Sequence, residues 1–461
     1  MKRHGLGLGL SAVIGLLCAF PGCSVETKAS DIICTPDQSN ICTNCDKPAG
    51  DTASYVGRHV CAHDGKSFGP CQQCAPQVEK TDFKPIPITP EPGEEQKPPP
   101  VTPAKDTIDA ACAGKIAIIA GEDSDKAQFT YSAVYEGTKF KPYSQSGTPM
   151  RSAAALAPNG ASTLVVYRSK NNSLIATSFG GGLWGSASTV AGASLDGAPA
   201  LTAWDGKIKA IFREDDGYHH VATFVSATGW QDGIELVGSS TIAPPPSVSD
   251  PSVVSTGAAG LSGAGIVVGY TDAAKGIYRQ EWKGTTWFTK GIKATTVQAA
   301  AIRPNLIAMT SGDFDLLSMY VNSEGKLRVS TRTSKDNGSL WSADTATSEK
   351  ATPAGPVNGV GLDNGRALVV YLDDESKGQY IVFDPKKTPA WSDPAPLVAE
   401  ENPKLETAPQ LVRDPCGAEA TLSLATSAGV IVLRFADGEI KGPYIVDGIP
   451  GVTYATVVTA P

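Results

Sequence analysis

Residues 317–341 read LSMYVNSEGKLRVSTRTSKDNGSLW, and this stretch decides the fold. Leu317 to Val321 is a short apolar-alternating run, Ser323-Glu324-Gly325 is a polar turn, and Leu327 to Thr331 is a second run of the same kind. Runs of this length, bounded by turn residues and rich in β-branched and aromatic side chains, are strands of an antiparallel meander. The unit ends on Trp341. Tryptophan returns in this place at Trp184, Trp230, Trp287, Trp341 and Trp391, at intervals of roughly 45 to 57 residues, the size of one four-stranded propeller blade.

The same unit repeats along the C-terminal three quarters of the chain. Middle strands read Lys115 to Ala120, Leu164 to Arg168, Ile208 to Arg213, Ile266 to Tyr270, Leu317 to Val321, Leu368 to Leu372 and Leu422 to Thr426. Third strands read Phe129 to Tyr135, Leu174 to Phe179, His219 to Val225, Ile277 to Trp282, Leu327 to Thr331, Tyr380 to Phe383 and Val430 to Phe435. The expected fold is all-β, a seven-bladed β-propeller over residues 108–461. Runs of small residues such as Ala153-Ala154-Ala155, Ala200-Leu201-Thr202-Ala203, Val253-Val254-Ser255 and Ala299-Ala300-Ala301 precede middle strands. They fit innermost strands, where converging sheets leave little room. The first repeat lacks such a run at its own start. Thr456-Val457-Val458-Thr459-Ala460 supplies it from the C-terminus, closing the ring and leaving no long exposed edge. Cys112 and Cys416 then fall in neighbouring blades. A disulfide between them is expected, stabilising by on the order of 5 kcal/mol in the loop-entropy picture.

Three segments precede the propeller. Residues 1–22 carry Lys2 and Arg3, an apolar run from Leu6 to Phe20 and then small residues, the layout of a secretory signal peptide. No later stretch approaches the roughly 20 apolar residues of a membrane-spanning helix. Residues 23–74 hold Cys34, Cys42, Cys45, Cys61, Cys71 and Cys74. Their C-x-x-C spacings would fit zinc in a reducing compartment, but an exported module this small needs covalent staples, so disulfides are expected, with about 15 possible pairings. Residues 75–107 are dense in proline, from Pro76 to Pro103, and form an extended stalk rather than a core. The net charge of −8, without a basic run, excludes a nucleic-acid-binding face.

Four resemblances add to this reading. Phe20-Pro21-Gly22-Cys23 is similar to a bacterial lipobox, which implies lipidation of Cys23 and a membrane anchor; Phe20 and Pro21 depart from the usual aliphatic and small residues. Simple cleavage, with Cys23 in a disulfide, is the alternative. Ser24 is compatible with sorting to the outer membrane and the cell surface. The cysteine spacing of residues 34–74 resembles a module of surface lipoproteins in large-genome Gram-negative bacteria. Ser334-Lys335-Asp336-Asn337-Gly338-Ser339-Leu340-Trp341 matches the Asp-box of sialidase-like propellers, a hairpin turn that marks fold rather than activity. Arg168 and Phe212-Arg213 match part of the arginine set of those enzymes. Glu214-Asp215 stands where their motif continues Ile-Pro, so no catalytic residue is assigned.

The fourth repeat, Tyr278-Arg279-Gln280-Glu281-Trp282 followed by Trp287, resembles the fucose-lectin propellers, in which arginine, glutamate and an aromatic ring grip one sugar. Period-2 alternation places Arg279 and Glu281 on one face of their strand. Arg279, Glu281 and Trp287 are therefore the candidate ligand-binding residues; a plain cross-strand ion pair beside a buried tryptophan is the structural alternative. His219 and His220 point to opposite faces, and the acidic turns lack the calcium-loop pattern, so neither metal nor cofactor is expected. The expectation is a monomeric, non-catalytic, lipid-anchored surface protein that binds a glycan or a protein. A sialidase-like hydrolase and a scaffold of an envelope assembly are the competing readings.

Overall fold

Eight antiparallel sheets follow one another along the chain in the computed structural model, which describes residues 39–42, 55–60, 72–76 and 108–460. Within that last span 125–126, 147, 239–244, 257–264, 283–286, 288–291, 294–297, 311–313, 334–340 and 399–402 are not described. Cys23, the stalk prolines from Pro85 to Pro103 and the Ser334 to Leu340 turn thus lie outside the described residues. So does the pairing of the clustered cysteines.

The chain divides into two units, residues 1–84 and 85–461. The first contains a three-stranded antiparallel sheet of Ser39–Cys42, Tyr55–Val60 and Gln72–Pro76, with Ser39 opposite Val60 and Tyr55 opposite Pro76. Its last strand carries Ala75 and Pro76, the first two residues assigned to the stalk.

The second unit is a seven-bladed β-propeller. Blade 1 pairs Tyr454–Thr459 with Ile116–Gly121, then Phe129–Tyr135 and Phe140–Ser146. Blade 2 runs Ala155–Asn159, Ser162–Arg168 and Ser173–Gly180, and blade 3 runs Ala200–Trp204, Lys207–Arg213 and His219–Val225; each has its outermost strand in two pieces. Blade 4 is Ser252–Thr256, Gly265–Thr271, Ile277–Trp282 and Ile292–Lys293. Blade 5 is Asn305–Ala308, Phe314–Val321, Leu327–Thr333 and Thr345–Ala346. Blade 6 is Asn358–Gly361, Ala367–Leu372, Gly378–Phe383 and Ala395–Pro396, and blade 7 is Gln410–Arg413, Ala420–Thr426, Gly429–Ala436 and Glu439–Val446.

The C-terminal strand closes the ring as expected. Thr456 lies opposite Ile119 and Val457 opposite Ile118. One face of this strand, Ala455 and Val457, packs into the apolar layer shared with blade 7; the other, Val458 and Ala460, enters the layer shared with blade 2. The Ala154 amide donates to Thr456 Oγ1 at 3.0 Å, tying blade 2 to the last strand. Gly121 permits a close approach here, since a Cβ on it would lie 2.5 Å from the Met150 carbonyl oxygen.

The inner strands contain the small-residue runs in blades 3 and 4; in blade 2 the strand Ala155–Asn159 takes up only the last residue of Ala153-Ala154-Ala155, and in blade 5 the run lies outside it. There the inner strand is Asn305–Ala308, and Ala299 instead bridges Asn322 and packs against Ile277 and Tyr320. Pro304, which has no amide hydrogen to give a ladder, stands immediately before the strand and separates it from the alanine run.

Two observations carry predictions. His219 is buried against Tyr270, its Nε2 3.2 Å from the Ser249 carbonyl, and burial pushes its pKa down to about 3 from 6.5. Between those values the unfolded chain takes up a proton that the folded chain refuses, so His219 lowers stability as pH falls from about 6.5 toward 3, by up to about 1.4 kcal/mol per pH unit. Melting curves from pH 7 to 4 should fall less steeply for His219→Phe than for the native chain. Equal slopes would contradict this.

Cys112 and Cys416 are free thiols in contact, the second pushed up to about 12 by burial and by Cys112 beside it. Peptide mapping, without reductant, of the protein produced with passage through an oxidising compartment should recover the two linked. Replacing both by serine should lower stability by up to about 5 kcal/mol. Recovery of both as free thiols after that passage would contradict the pairing.

Candidate functional site

Among the described residues, six of the seven interfaces between blades hold a large apolar cluster, although the layer between blades 7 and 1 also contains the buried Arg434–Asp414 ion pair. The layer between blades 5 and 6, for example, is built from Leu317, Met319, Val329, Val369, Ile381 and Phe383, among others. The interface between blades 4 and 5 differs. Its described apolar clusters are small: Val267, Leu306 and Leu316 in one, Ile277, Ala299 and Tyr320 in the other. Between them stand Arg279 and Glu281 from blade 4, and Ser318, Ser330 and Arg332 from blade 5, all buried.

Strand register explains the composition. Arg279 lies opposite Gly269 and Glu281 opposite Val267, on the face turned to blade 5. A Cβ on Gly269 would meet Leu306 at 3.3 Å, so the glycine lets blade 5 pack closely beside the arginine. On the facing sheet Leu316 lies opposite Arg332 and Ser318 opposite Ser330. The positions matching Arg279 and Glu281 hold Ala176 and Ser178 in blade 2, Val221 and Thr223 in blade 3, and Val329 and Thr331 in blade 5. The charged pair belongs to blade 4 within this set.

Arg332, 1% exposed, takes up both nearby carboxylates: Nη2 is 2.6 Å and Nε 3.1 Å from Asp315, and Nη1 is 3.5 Å from Glu281. Asp344 is bound by Tyr320 at 2.9 Å and by Arg328 at 3.2 Å. Arg279, also 1% exposed, is placed otherwise. Its Nε donates to Ser318 Oγ at 3.2 Å, and its guanidinium lies 3.8 Å from the centre of the Trp341 ring. Among the described residues, Nη1 and Nη2 of Arg279 and Nε1 of Trp341 are buried without a hydrogen-bond partner. Burial pushes the Arg279 pKa down to about 9, against the pull of Tyr320, Asp344 and Glu281. It therefore remains a cation at neutral pH.

Of the three candidate residues, the structure brings Arg279 and Glu281 together and sends Trp287 elsewhere. Trp287 packs into the layer between blades 3 and 4, with Ile211, Val221 and Tyr270, on the other side of the sheet. The ring over Arg279 is Trp341, which enters from the next blade. A common geometry underlies this: Trp184, Trp230, Trp287, Trp341 and Trp391 each pair with the end of their own blade's third strand and face the preceding blade. Their partners are Phe179, Phe224, Trp282, Arg332 and Phe383. Arginine stands where the other four repeats carry an aromatic ring, and that exchange was visible in the sequence.

Outside the crevice, Nε of Arg168 and Arg213 and Nε1 of Trp184 and Trp204 are single buried donors without a partner among the described residues, whereas Arg279 leaves both Nη groups unpaired on one side chain. Arg168 and Arg213 end the second strands of blades 2 and 3; the first donates to the Arg151 carbonyl at 3.2 Å, the second to Asp196 at 3.0 Å. Nearby Tyr454 donates to Asp123 at 3.0 Å, and burial pushes its phenol up to about 12, which keeps it protonated and a poor nucleophile. His220 turns away from His219 to lie 3.0 Å from Asp216 and 3.6 Å from Glu214. An open pocket of about 350 Å³ on blade 2, lined by Ser162, Ser178, Leu183 and Trp184 among others, includes no charged side chain.

No protein-family model and no curated protein matches the sequence. Solved structures do. The BP39L lectin from Burkholderia pseudomallei superposes with a TM-score of 0.55 at 15% identity, over 74% of this chain and 97% of that one. AofleA from Arthrobotrys oligospora gives a TM-score of 0.41 at 12% identity, over 62% and 87%. A variant of the Aleuria aurantia lectin in complex with alpha-methyl-L-fucoside gives 0.40 at 16%, over 62% and 96%. At these identities the likeness is one of fold.

The two crevice arginines should behave oppositely when replaced by an apolar isostere. Arg332→Met strands Glu281 and Asp315 and should lower stability by about 3 kcal/mol, whereas Arg279→Met removes a cation without a carboxylate in contact among the described residues and should leave stability unchanged or raise it. Thermal melts of the two variants check this. A loss with Arg279→Met as large as that with Arg332→Met would assign Arg279 a structural role.

Proposed function

We propose that the propeller is a non-catalytic carbohydrate-binding domain whose site is the crevice between blades 4 and 5. The observation that carries this reading is the set of buried donors without partners, Arg279 Nη1 and Nη2 and Trp341 Nε1. Buried polar groups are nearly always hydrogen-bonded, and leaving one unpaired is costly, so an unpaired set beside an aromatic ring fits a ligand with oxygen acceptors and an apolar face. A sugar ring has both. The lectin from Burkholderia pseudomallei that shares the fold supports the class of ligand, though not its identity.

The address of the protein belongs to the same reading. A chain exported by residues 1–22, lipidated at Cys23 and extended by the proline-rich segment would present the propeller beyond the outer membrane, where glycans are met. Labelling of cells with a palmitate analogue should mark the native chain and not Cys23→Ala; an unlabelled native chain would leave the protein soluble after export.

A glycan array probed with the full mature chain, followed by titration calorimetry on the best ligand, tests the site. Arg279→Ala and Trp341→Ala should each weaken binding by at least about tenfold, or about 1.4 kcal/mol, while Trp287→Phe should change it little. Undiminished binding in the first two would place the site elsewhere. Hydrolysis of the ligand during titration would favour the sialidase-like reading instead.

A further inference from the structure

We infer that the crevice between blades 4 and 5 reads an anionic group, so that its ligand is an acidic carbohydrate bearing a carboxylate or a sulfate. This rests on the carbohydrate reading of the same site. The partnerless groups here are all donors: two guanidinium Nη groups and one indole N–H. The buried acceptors that also lack partners, Gln280 Oε1 and Asn305 Oδ1, belong to other interfaces. Gln280 lies opposite Val268 on the face turned to blade 3, and Asn305 lies opposite Met319 on the face turned to blade 6.

The described carboxylates nearest Arg279 are engaged. Glu281 and Asp315 go to Arg332, and Asp344 goes to Arg328 and Tyr320. What remains of Arg279 is the planar edge carrying Nη1 and Nη2, since Nε is held by Ser318 Oγ. That edge matches two coplanar oxygens on one atom, the bidentate pairing of arginine with a carboxylate or an oxyanion. A neutral hydroxyl offers one oxygen and no charge. Burial without a carboxylate in contact is also what pushes the Arg279 pKa down to about 9, and a bound anion would raise it again. The half-buried Trp341 ring lies over the guanidinium, so a ligand held at the fork would lie beside an aromatic ring.

Titration calorimetry on the full mature chain discriminates the outcomes. The probes are an oligogalacturonide, its methyl ester, a sulfated galactose, and methyl fucoside as the neutral sugar. The oligogalacturonide or the sulfated sugar should bind, and whichever does identifies the anion. Esterification should weaken uronide binding by at least about tenfold, and so should Arg279→Lys, which keeps the charge and loses the fork. Circular dichroism of the variant confirms that it is folded. Equal, Arg279-dependent binding of methyl fucoside would overturn the inference and leave the carbohydrate reading standing. Binding of no sugar in either class would overturn both. Uronide or sulfate binding that survives Arg279→Gln would overturn the assignment of the fork.

Discussion

The pairing of Tyr454–Thr459 with Ile116–Gly121 is the contact on which the rest of the propeller depends. Without it blade 1 would lack its innermost strand, Ile116–Gly121 would present an unpaired edge, and the apolar layers facing blades 2 and 7 would be exposed together. With it, each blade has two neighbours, and every sheet is covered on both faces. The seven interfaces become a closed set whose geometry is shared around the ring. Cys112 and Cys416 sit at the same seam, in the layer where the last strand meets blade 7.

Closure also explains how the interface between blades 4 and 5 can hold a buried cation without a carboxylate partner among the described residues. A buried guanidinium with free donors would be expelled to solvent in an open or loosely packed sheet, whereas a blade held between two neighbours cannot easily turn it out. The large apolar clusters of the other six interfaces offset the unfavourable burial here. The division of labour within the crevice follows: Arg332 satisfies Glu281 and Asp315 and holds blades 4 and 5 together, while Arg279 is left stacked on Trp341 with its fork unspent. Binding sites commonly hold polar groups at some expense of stability, and a pairing that is complete in the free protein has nothing left to give a ligand.

Much of the architecture was legible in the sequence because a propeller repeats one local pattern. Strand, turn, strand and tryptophan at a fixed interval require no knowledge of long-range contacts, and the small residues of 456–460 announced a strand without partners of its own. Ala299-Ala300-Ala301 misled because small residues signal an inner strand only where the backbone can pair, and Pro304 displaced that strand to Asn305–Ala308. The shared face of Arg279 and Glu281 was readable from alternation. Their aromatic companion was not, because Trp287, close in sequence, faces blade 3, and the ring that meets Arg279 comes from the following repeat. Contacts across blades are set by the sense in which each outer hairpin folds back. The repeat alignment held one usable sign, Arg332 standing where Phe179, Phe224, Trp282 and Phe383 stand in their own blades. Asp315, at the start of a middle strand, carried none.

Native-state hydrogen exchange of the full chain tests the closed ring most directly. Chain termini ordinarily fray, and their amides exchange by local opening far below the global unfolding free energy. A ring closed by the last strand requires the amides of Ala455, Val457 and Val458 to exchange as slowly as those of Ile116–Gly121, and to reach the global limit together with them. Rapid exchange of the C-terminal strand while Ile116–Gly121 stays protected would contradict closure, and with it the confinement that keeps Arg279 buried between blades 4 and 5.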